Sequence, residues 1–197
     1  MAMAMAMAMA MAMAMVDMRR LQAGANTLEP QVAAHAGEMF ALLQDPAIYE
    51  FENGPPASQE WLTQRYQRLE SRGPADGSAH WLNWVIRLPG GGLAGYVQAT
   101  VSASGVAHVA YELNSRHWRQ DIGSSAVRAM LGELRSHYGV HSFVAVLKQK
   151  NLRSVALLRS LGFAPGNAQQ QLSYRDEPDE LVMLAPAESI AMPAATG

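Results

Sequence analysis

A five-residue apolar run, Phe143 to Leu147 (Phe-Val-Ala-Val-Leu), lies between two helical patterns and does most to limit how this chain can fold. A run with no polar member reads as a strand covered on both faces. The pattern before it spans Gly123 to Tyr138, with Ala126, Val127, Met130, Leu131 and Leu134 on one face and Gly139 as its stop. The pattern after it is capped by Asn151, turns Leu152, Val155, Leu158 and Leu161 inward, and ends at Gly162. A strand from Val106 to about Leu113 comes first, so the order through this region is strand, helix, strand, helix.

Upstream, Met18 to Leu28 carries a faint edge-strand signal. Pro30 opens a helical pattern with Val32, Ala36, Met39, Phe40 and Leu43 at three- and four-residue spacing, which Asp45-Pro46 ends. Tyr49 to Pro56 is a turn-rich loop with acidic and aromatic groups. Ser58 caps a second helix whose apolar face is Trp61, Leu62, the stem of Arg65, Tyr66 and Leu69. Trp81–Leu88 and Leu93–Ala103 form a hairpin about Pro89-Gly90-Gly91-Gly92. A closing pair of short strands is expected near Gln170–Tyr174 and Leu181–Leu184. The pattern is α+β: a mixed, mainly antiparallel sheet flanked by helices. The 197 residues suit one domain over residues 18–184, with a Met-Ala tail at 1–17 and a flexible tail at 185–197.

Composition narrows the function. Fifteen Lys and Arg against 17 Asp and Glu give no global positive field, which argues against nucleic acid or an anionic membrane as partner. There are no cysteines, so a thiolate zinc site and a covalent Cys mechanism are excluded, and a reducing, cytoplasmic location is expected. The alternating Met-Ala run lacks a basic leader and is too short to span a bilayer. None of the six histidines forms an H-x-H or H-E-x-x-H pair, so no metal is expected. Gly90, Gly92 and Gly95 match G-x-G-x-x-G, but Tyr96 to Val101 after them is a strand, so the glycines belong to a hairpin turn and not to a nucleotide loop. No G-x-S-x-G elbow is present.

Chemistry concentrates between Ala110 and Phe163. A strand ending in Tyr111-Glu112-Leu113 feeds a turn that opens a helix at Ile122-Gly123-Ser124-Ser125. Unpaired N–H groups and the helix dipole make such a start a cradle for a pyrophosphate, and small side chains let phosphates approach. Here the chain resembles the GNAT superfamily, whose helix-opening motif is Gln/Arg-x-x-Gly-x-Gly/Ala. Trp118 stands at the Gln/Arg position, Asp121 at the first glycine and Gly123 at the second. Trp118, Asn151-x-x-Ser154 and Leu161-Gly162-Phe163 are similar to the branch containing the ribosomal-protein N-terminal acetyltransferases.

This resemblance implies a splayed central strand pair, with acetyl-CoA as co-substrate in the gap between the strands ending at Leu113 and running through Phe143–Leu147. It implies that Ile122, Gly123, Ser124 and Ser125 hold the pyrophosphate, that Asn151 meets the pantetheine arm, and that a strand amide near Leu113 holds the thioester oxygen. Arg116 and Arg119 are either phosphate ligands or solvated turn residues. Glu112 is either the base that deprotonates a primary amine, whose ordinary pKa is near 10.4, or an orienting group. Ser154 either protonates the leaving thiolate or bonds its own helix backbone, since Leu158 replaces the tyrosine many relatives use. Asp121 either repels the pyrophosphate or caps the helix. Tyr49, Glu50, Phe51 and Glu52 either border the acceptor, a small-molecule or peptide amine, or belong to a mobile loop. The alternative is a noncatalytic acyl-CoA-binding module. A homodimer fits the family.

Overall fold

The computed structural model describes residues 17–51 and 53–190. The Met-Ala run before Asp17, Glu52 and the last seven residues lie outside the described residues. Eight strands form one sheet: β1 (Leu21–Ala23), β2 (Asn26–Pro30), β3 (Ala79–Arg87), β4 (Leu93–Ser102), β5 (Val106–Leu113), β6 (Ser142–Lys148), β7 (Ala164–Pro165) and β8 (Glu180–Pro186). Their order is β1-β2-β3-β4-β5-β6-β8-β7. Every pairing is antiparallel except that of β5 with β6. The helices are α1 (Ala36–Leu42), α2 (Gln59–Leu69), α3 (Ile122–His137), α4 (Leu152–Ser160) and α5 (Ala168–Tyr174).

Period-two alternation along the strands divides the core. One face of β3 gives Leu82, Trp84 and Ile86 to a large cluster with Met130, Leu131 and Leu134 of α3, Val155 and Leu158 of α4, and Phe143 of β6. On the opposite face Val85 packs with Met39 of α1 and with Leu62 and Tyr66 of α2. A partly buried ion pair ties Arg19 to this frame: its Nη2 lies 2.6 Å from Glu133 Oε2, whose side chain is 5% exposed.

The strand pair at the centre positions the site. β5 and β6 pair only at Val106–Ser142, Ala107–Phe143 and His108–Val144, and past that point they diverge. On their other edges both remain fully laddered, β5 to β4 as far as Leu113 and β6 to β8 as far as Lys148. The splayed pair implied by the GNAT resemblance is therefore present.

Several local expectations are corrected. The weak signal before Leu28 is a hairpin, turned by Gly24 at φ +61°, and Pro30 ends β2 rather than opening a helix. The stretch expected as a strand at Gln170–Tyr174 is α5, because Asn167 and Gln170 form a reciprocal capping box and Ala, Gln and Leu favour helix. Residues 185–190 are not a loose tail: β8 runs to Pro186, and Ala185, Ala187 and Ile190 are buried in the main core. Trp61 and Leu152, expected inward, are 47% and 71% exposed. Each sits in the first turn of its helix, short of the sheet it would pack on.

The Gly90–Gly92 segment is the expected turn, with the Leu88 and Gly92 backbones bonded across it and Gly91 at φ +94°. Gly95 has a separate role. A Cβ there would lie 2.0 Å from the Glu112 carbonyl oxygen and 2.9 Å from Leu113 Cα, so only glycine lets β4 approach the end of β5. Gly95→Ala is expected to destabilise the fold by about 3 kcal/mol through overpacking. Chemical denaturation reads this, and a midpoint equal to wild type contradicts it.

Candidate active site

The divergence of β5 and β6 opens a cleft of about 530 Å³, with α3 and α4 on one side and the loop near Ile48 and Phe51 on the other. The amide of Asn114 bonds the Ala94 carbonyl across the β4 ladder. Amides alternate along a strand, so those of Leu113 and Tyr111 face the cleft. The Leu113 N–H donates to Glu112 Oε1 at 3.3 Å, which brings an amide donor and a carboxylate together at the cleft wall. That carboxylate also acts on its neighbours: burial and then its charge raise the Tyr49 hydroxyl to about 12.

The opening of α3 forms a second part of the cleft. Ser125 N–H is the first amide of the helix to close back, onto the Asp121 carbonyl at 3.1 Å. The amides of Ile122, Gly123 and Ser124 are therefore the orphan donors of the first turn, and these three residues line the cleft. Asp121 sits at the N-cap position in the left-handed conformation, φ 59° and ψ 6°, where glycine is the relaxed residue. Its carboxylate accepts hydrogen bonds from the hydroxyls of Ser124 and, at 3.0 Å, Ser125, and it bonds none of the helix amides. It thus occupies the N-cap position without the side-chain cap expected there, and the backbone donors stay open to an anion.

Asn151 Oδ1 accepts from the Ser154 amide at 3.2 Å, so Asn151 caps α4 while facing the cleft. Among the described residues the Ser154 hydroxyl makes no hydrogen bond to its own helix. Ser154 lines the cleft, and its hydroxyl there is a hydrogen-bond partner of the Tyr111 phenol. The Ser154 carbonyl accepts from the Tyr111 hydroxyl at 3.4 Å. Burial raises that phenol to about 12, so it stays protonated at neutral pH.

The cleft brings together Glu112, Leu113, Arg119, Ile122, Gly123, Ser124, Asn151 and Ser154. It does not include Arg116, which is exposed and whose amide bonds the Asn114 side chain, or Ser125, whose hydroxyl turns to Asp121. Of the acceptor-side residues, Phe51 lines the cleft and Glu50 sits at its edge.

Sequence reasoning missed Tyr111, His117 and above all Arg153. The Arg153 guanidinium lies 3.8 Å from the Trp118 ring centre and 5.8 Å from that of Phe51, and its Nη2 is 3.2 Å from Glu50 Oε2. It joins α4, the turn before α3 and the acceptor-side loop across the cleft. The Trp118 ring is itself fixed, its indole N–H donating to the Leu113 carbonyl at 2.8 Å. Arg153 lies inside the Asn-x-x-Ser motif, so its position was visible in sequence, but not its aromatic partners.

The Ser124 hydroxyl lowers the Asp121 pKa against the opposing effect of desolvation, with smaller help from the Ser125 hydroxyl and the Arg128 charge. A depressed carboxylate adds stability above its unfolded pKa, and that stability is lost as pH falls through the folded value. Asp121 is therefore expected to titrate below the usual carboxylate range by carbon-detected NMR, and to return towards it in Ser124→Ala/Ser125→Ala. An unshifted Asp121 in the native protein contradicts this electrostatic picture.

Comparison with known proteins fits this geometry. No curated protein matches the sequence. Among solved structures, the ribosomal-protein-S5-alanine acetyltransferase from Vibrio fischeri superposes with a TM-score of 0.73 at 14% identity, covering 88% of this chain and 100% of that one. RimL, a ribosomal L7/L12 α-N-protein acetyltransferase solved with coenzyme A, gives 0.73 at 16% identity, with 87% and 99% covered. An aminoglycoside acetyltransferase, also in complex with coenzyme A, gives 0.66 at 17% identity, with 83% and 96% covered. At these identities the likeness establishes the fold. The model of the acetyltransferase (GNAT) domain matches residues 26–164, and the chain belongs to that family.

Proposed function

We propose that this protein transfers an acetyl group from acetyl-CoA to a primary amine by direct attack, with both substrates bound at once. One observation carries the reading: the Leu113 amide and the Glu112 carboxylate, bonded to each other, open into the same cleft as the orphan amides of α3. A pyrophosphate suits those amides, because the donors and the helix dipole both favour negative charge. The extended arm of the co-substrate suits strand edges that lack ladder partners. Acetyl-CoA supplies the activated acetyl thioester, and this chain's residues do the rest.

In this reading Ile122, Gly123 and Ser124 hold the pyrophosphate through backbone N–H groups, and Arg119 screens it from the solvent side. Asn151 meets the arm through its side-chain NH₂, since its oxygen is engaged by the Ser154 amide. The Leu113 N–H turns from Glu112 to the thioester oxygen and stabilises the charge that grows there. That exchange releases the Glu112 carboxylate to take a proton from the incoming ammonium, directly or through one water. The amine nitrogen bonds the acetyl carbon and the carbon–sulfur bond breaks; the Ser154 hydroxyl gives the leaving sulfur a proton and regains one from the protonated nitrogen, which leaves a neutral amide. Tyr49 and Phe51 border the acceptor. The RimL and S5 enzymes act on protein N-termini by their names, and a peptide amine is the acceptor class favoured here. A cytoplasmic location suits the co-substrate.

Asp121 favours one competing reading, a module that binds acyl-CoA without turnover, because it sets a negative charge beside the pyrophosphate position. The two readings separate by assay. Saturable acetyl-CoA binding in calorimetry, together with thiol release on adding an amine, supports the enzyme; binding without thiol release supports the module. Glu112→Gln is expected to lower kcat about 100-fold or more while leaving acetyl-CoA affinity unchanged. Unchanged kcat removes Glu112 as base. Asp121→Asn is expected to tighten acetyl-CoA binding about threefold to tenfold, measured by the same titration at low salt, where one repulsive charge is least screened. Weaker binding would mean that the carboxylate organises the cradle.

A further inference from the structure

The face of the sheet that carries Glu112 continues into a second cavity, of about 400 Å³, between α2 and strands β3 and β4. The strand register shows the continuity. Glu112 stands opposite Tyr96, and Ala110, which lines the first cleft, stands opposite Gln98, which lines the second. Gln98 in turn pairs with Asn83, and Thr100 pairs with Trp81. Because alternate residues share a face, one polar track runs from Glu112 past Gln98 and Asn83 to Thr100 and Trp81. Ala110, His108 and Thr100 are exposed along it.

Two arginines of α2, Arg65 and Arg68, wall the far end of this track. They lie three residues apart and so project from neighbouring positions on the helix surface. Among the described residues neither forms an ion pair, and the second cavity has no carboxylate in its lining. Arg65 lies over the Trp61 ring, with its guanidinium carbon 5.7 Å from the ring centre. The floor adds amide groups from Gln98 and from Asn83, which is 5% exposed. Two unpaired guanidinium groups above a neutral, hydrogen-bonding floor make a site for carboxylates.

We infer that this cavity is an acceptor subsite that reads acidic side chains near the N-terminus of a peptide substrate. The inference rests on the reading of Glu112 as the end of the track where the amine reacts. Gln98 and Thr100 lie two and four residues along β4 from Tyr96, which at about 3.4 Å per residue is about 7 and about 14 Å from Glu112. An extended peptide has the same rise, so its third and fifth residues fall at Gln98 and Thr100, in the cavity that Arg65 and Arg68 wall. Polycationic acceptors such as polyamines and aminoglycosides would meet like charge there, which selects against them.

The test uses two peptide amides with free N-termini, identical except for glutamates or glutamines at the third and fifth positions. Calorimetry on the full chain saturated with coenzyme A measures binding of each without requiring turnover. The glutamate peptide is expected to bind about tenfold more tightly, and the advantage is expected to shrink with added salt. Arg65→Glu/Arg68→Glu is expected to reverse the preference towards a lysine-bearing peptide, an outcome that misfolding cannot mimic. Equal binding of the two peptides, absence of binding by both, or a preference unchanged in the charge-reversed variant would overturn the inference. Coenzyme A affinity and thiol release, measured on the same samples, report separately on the acetyltransferase reading. A protein that prefers the acidic peptide yet releases no thiol would keep the subsite and lose the enzyme.

Discussion

Backbone hydrogen bonding at the centre of the sheet governs the rest of the structure. A strand edge left unladdered within a folded core is costly unless water or a ligand satisfies it. Here β5 and β6 share three paired positions and then part, while each stays fully paired on its other side. The parting cannot be a loss of strand character, since both chains remain extended on either side of the gap. It is a built opening, and every element around it is arranged to keep it open. Gly95 lets β4 hold the end of β5 close, and the Trp118 indole bonds the Leu113 carbonyl. Asn151 starts α4 immediately beyond β6, so that the helix forms the far wall.

Charge is distributed around this opening in a graded way. The first turn of α3 offers amides and a positive dipole end, tempered by Asp121, whose carboxylate is held by two serine hydroxyls and not by the helix backbone. In the proposed reaction Glu112 is the base, beside two tyrosines whose hydroxyls are pushed upward by burial first and then by its charge. Arg65 and Arg68 mark the far end of the same sheet face. On the proposed reading, negative charge at Glu112 and positive charge farther out orient an amine whose attached groups are acidic. Arg153, stacked on Trp118 and paired with Glu50, connects the co-substrate side of the cleft to the acceptor side.

The legible parts of the sequence were those decided locally. The apolar run at Phe143–Leu147, the helix face of α3 and, Leu152 apart, that of α4, the Ser58 and Asn151 caps and the glycine turn at Gly90–Gly92 all follow from short-range pattern and appear as expected. Candidate residues clustered well because motif spacing on a strand and two helix starts fixes their relative positions. What escaped were features decided by tertiary contact. The segment 185–190 reads as a loose tail, yet β8 runs to Pro186 beside β6 and buries Ala185, with Ala187 and Ile190 buried after it. Gln170–Tyr174 carries no strong periodicity, and its capping box decided for helix. The pairing of Arg153 with Trp118 spans 35 residues of sequence, and no local pattern announces a cation above a ring. Arg116 and Ser125 were placed by adjacency to a motif, but in the fold neither faces the cleft.

The claim at the centre of this picture is that the parted strands and the start of α3 together receive acetyl-CoA. Hydrogen–deuterium exchange with and without acetyl-CoA, resolved by peptide, tests it most directly. Slowed exchange is predicted in two places: the first turn of α3 at Ile122–Ser124, and the unladdered end of β5 at Tyr111–Leu113. The remote hairpin of β1 and β2 should be unchanged. Protection confined to other surfaces, or no change at saturating acetyl-CoA, would contradict the assignment of this cleft.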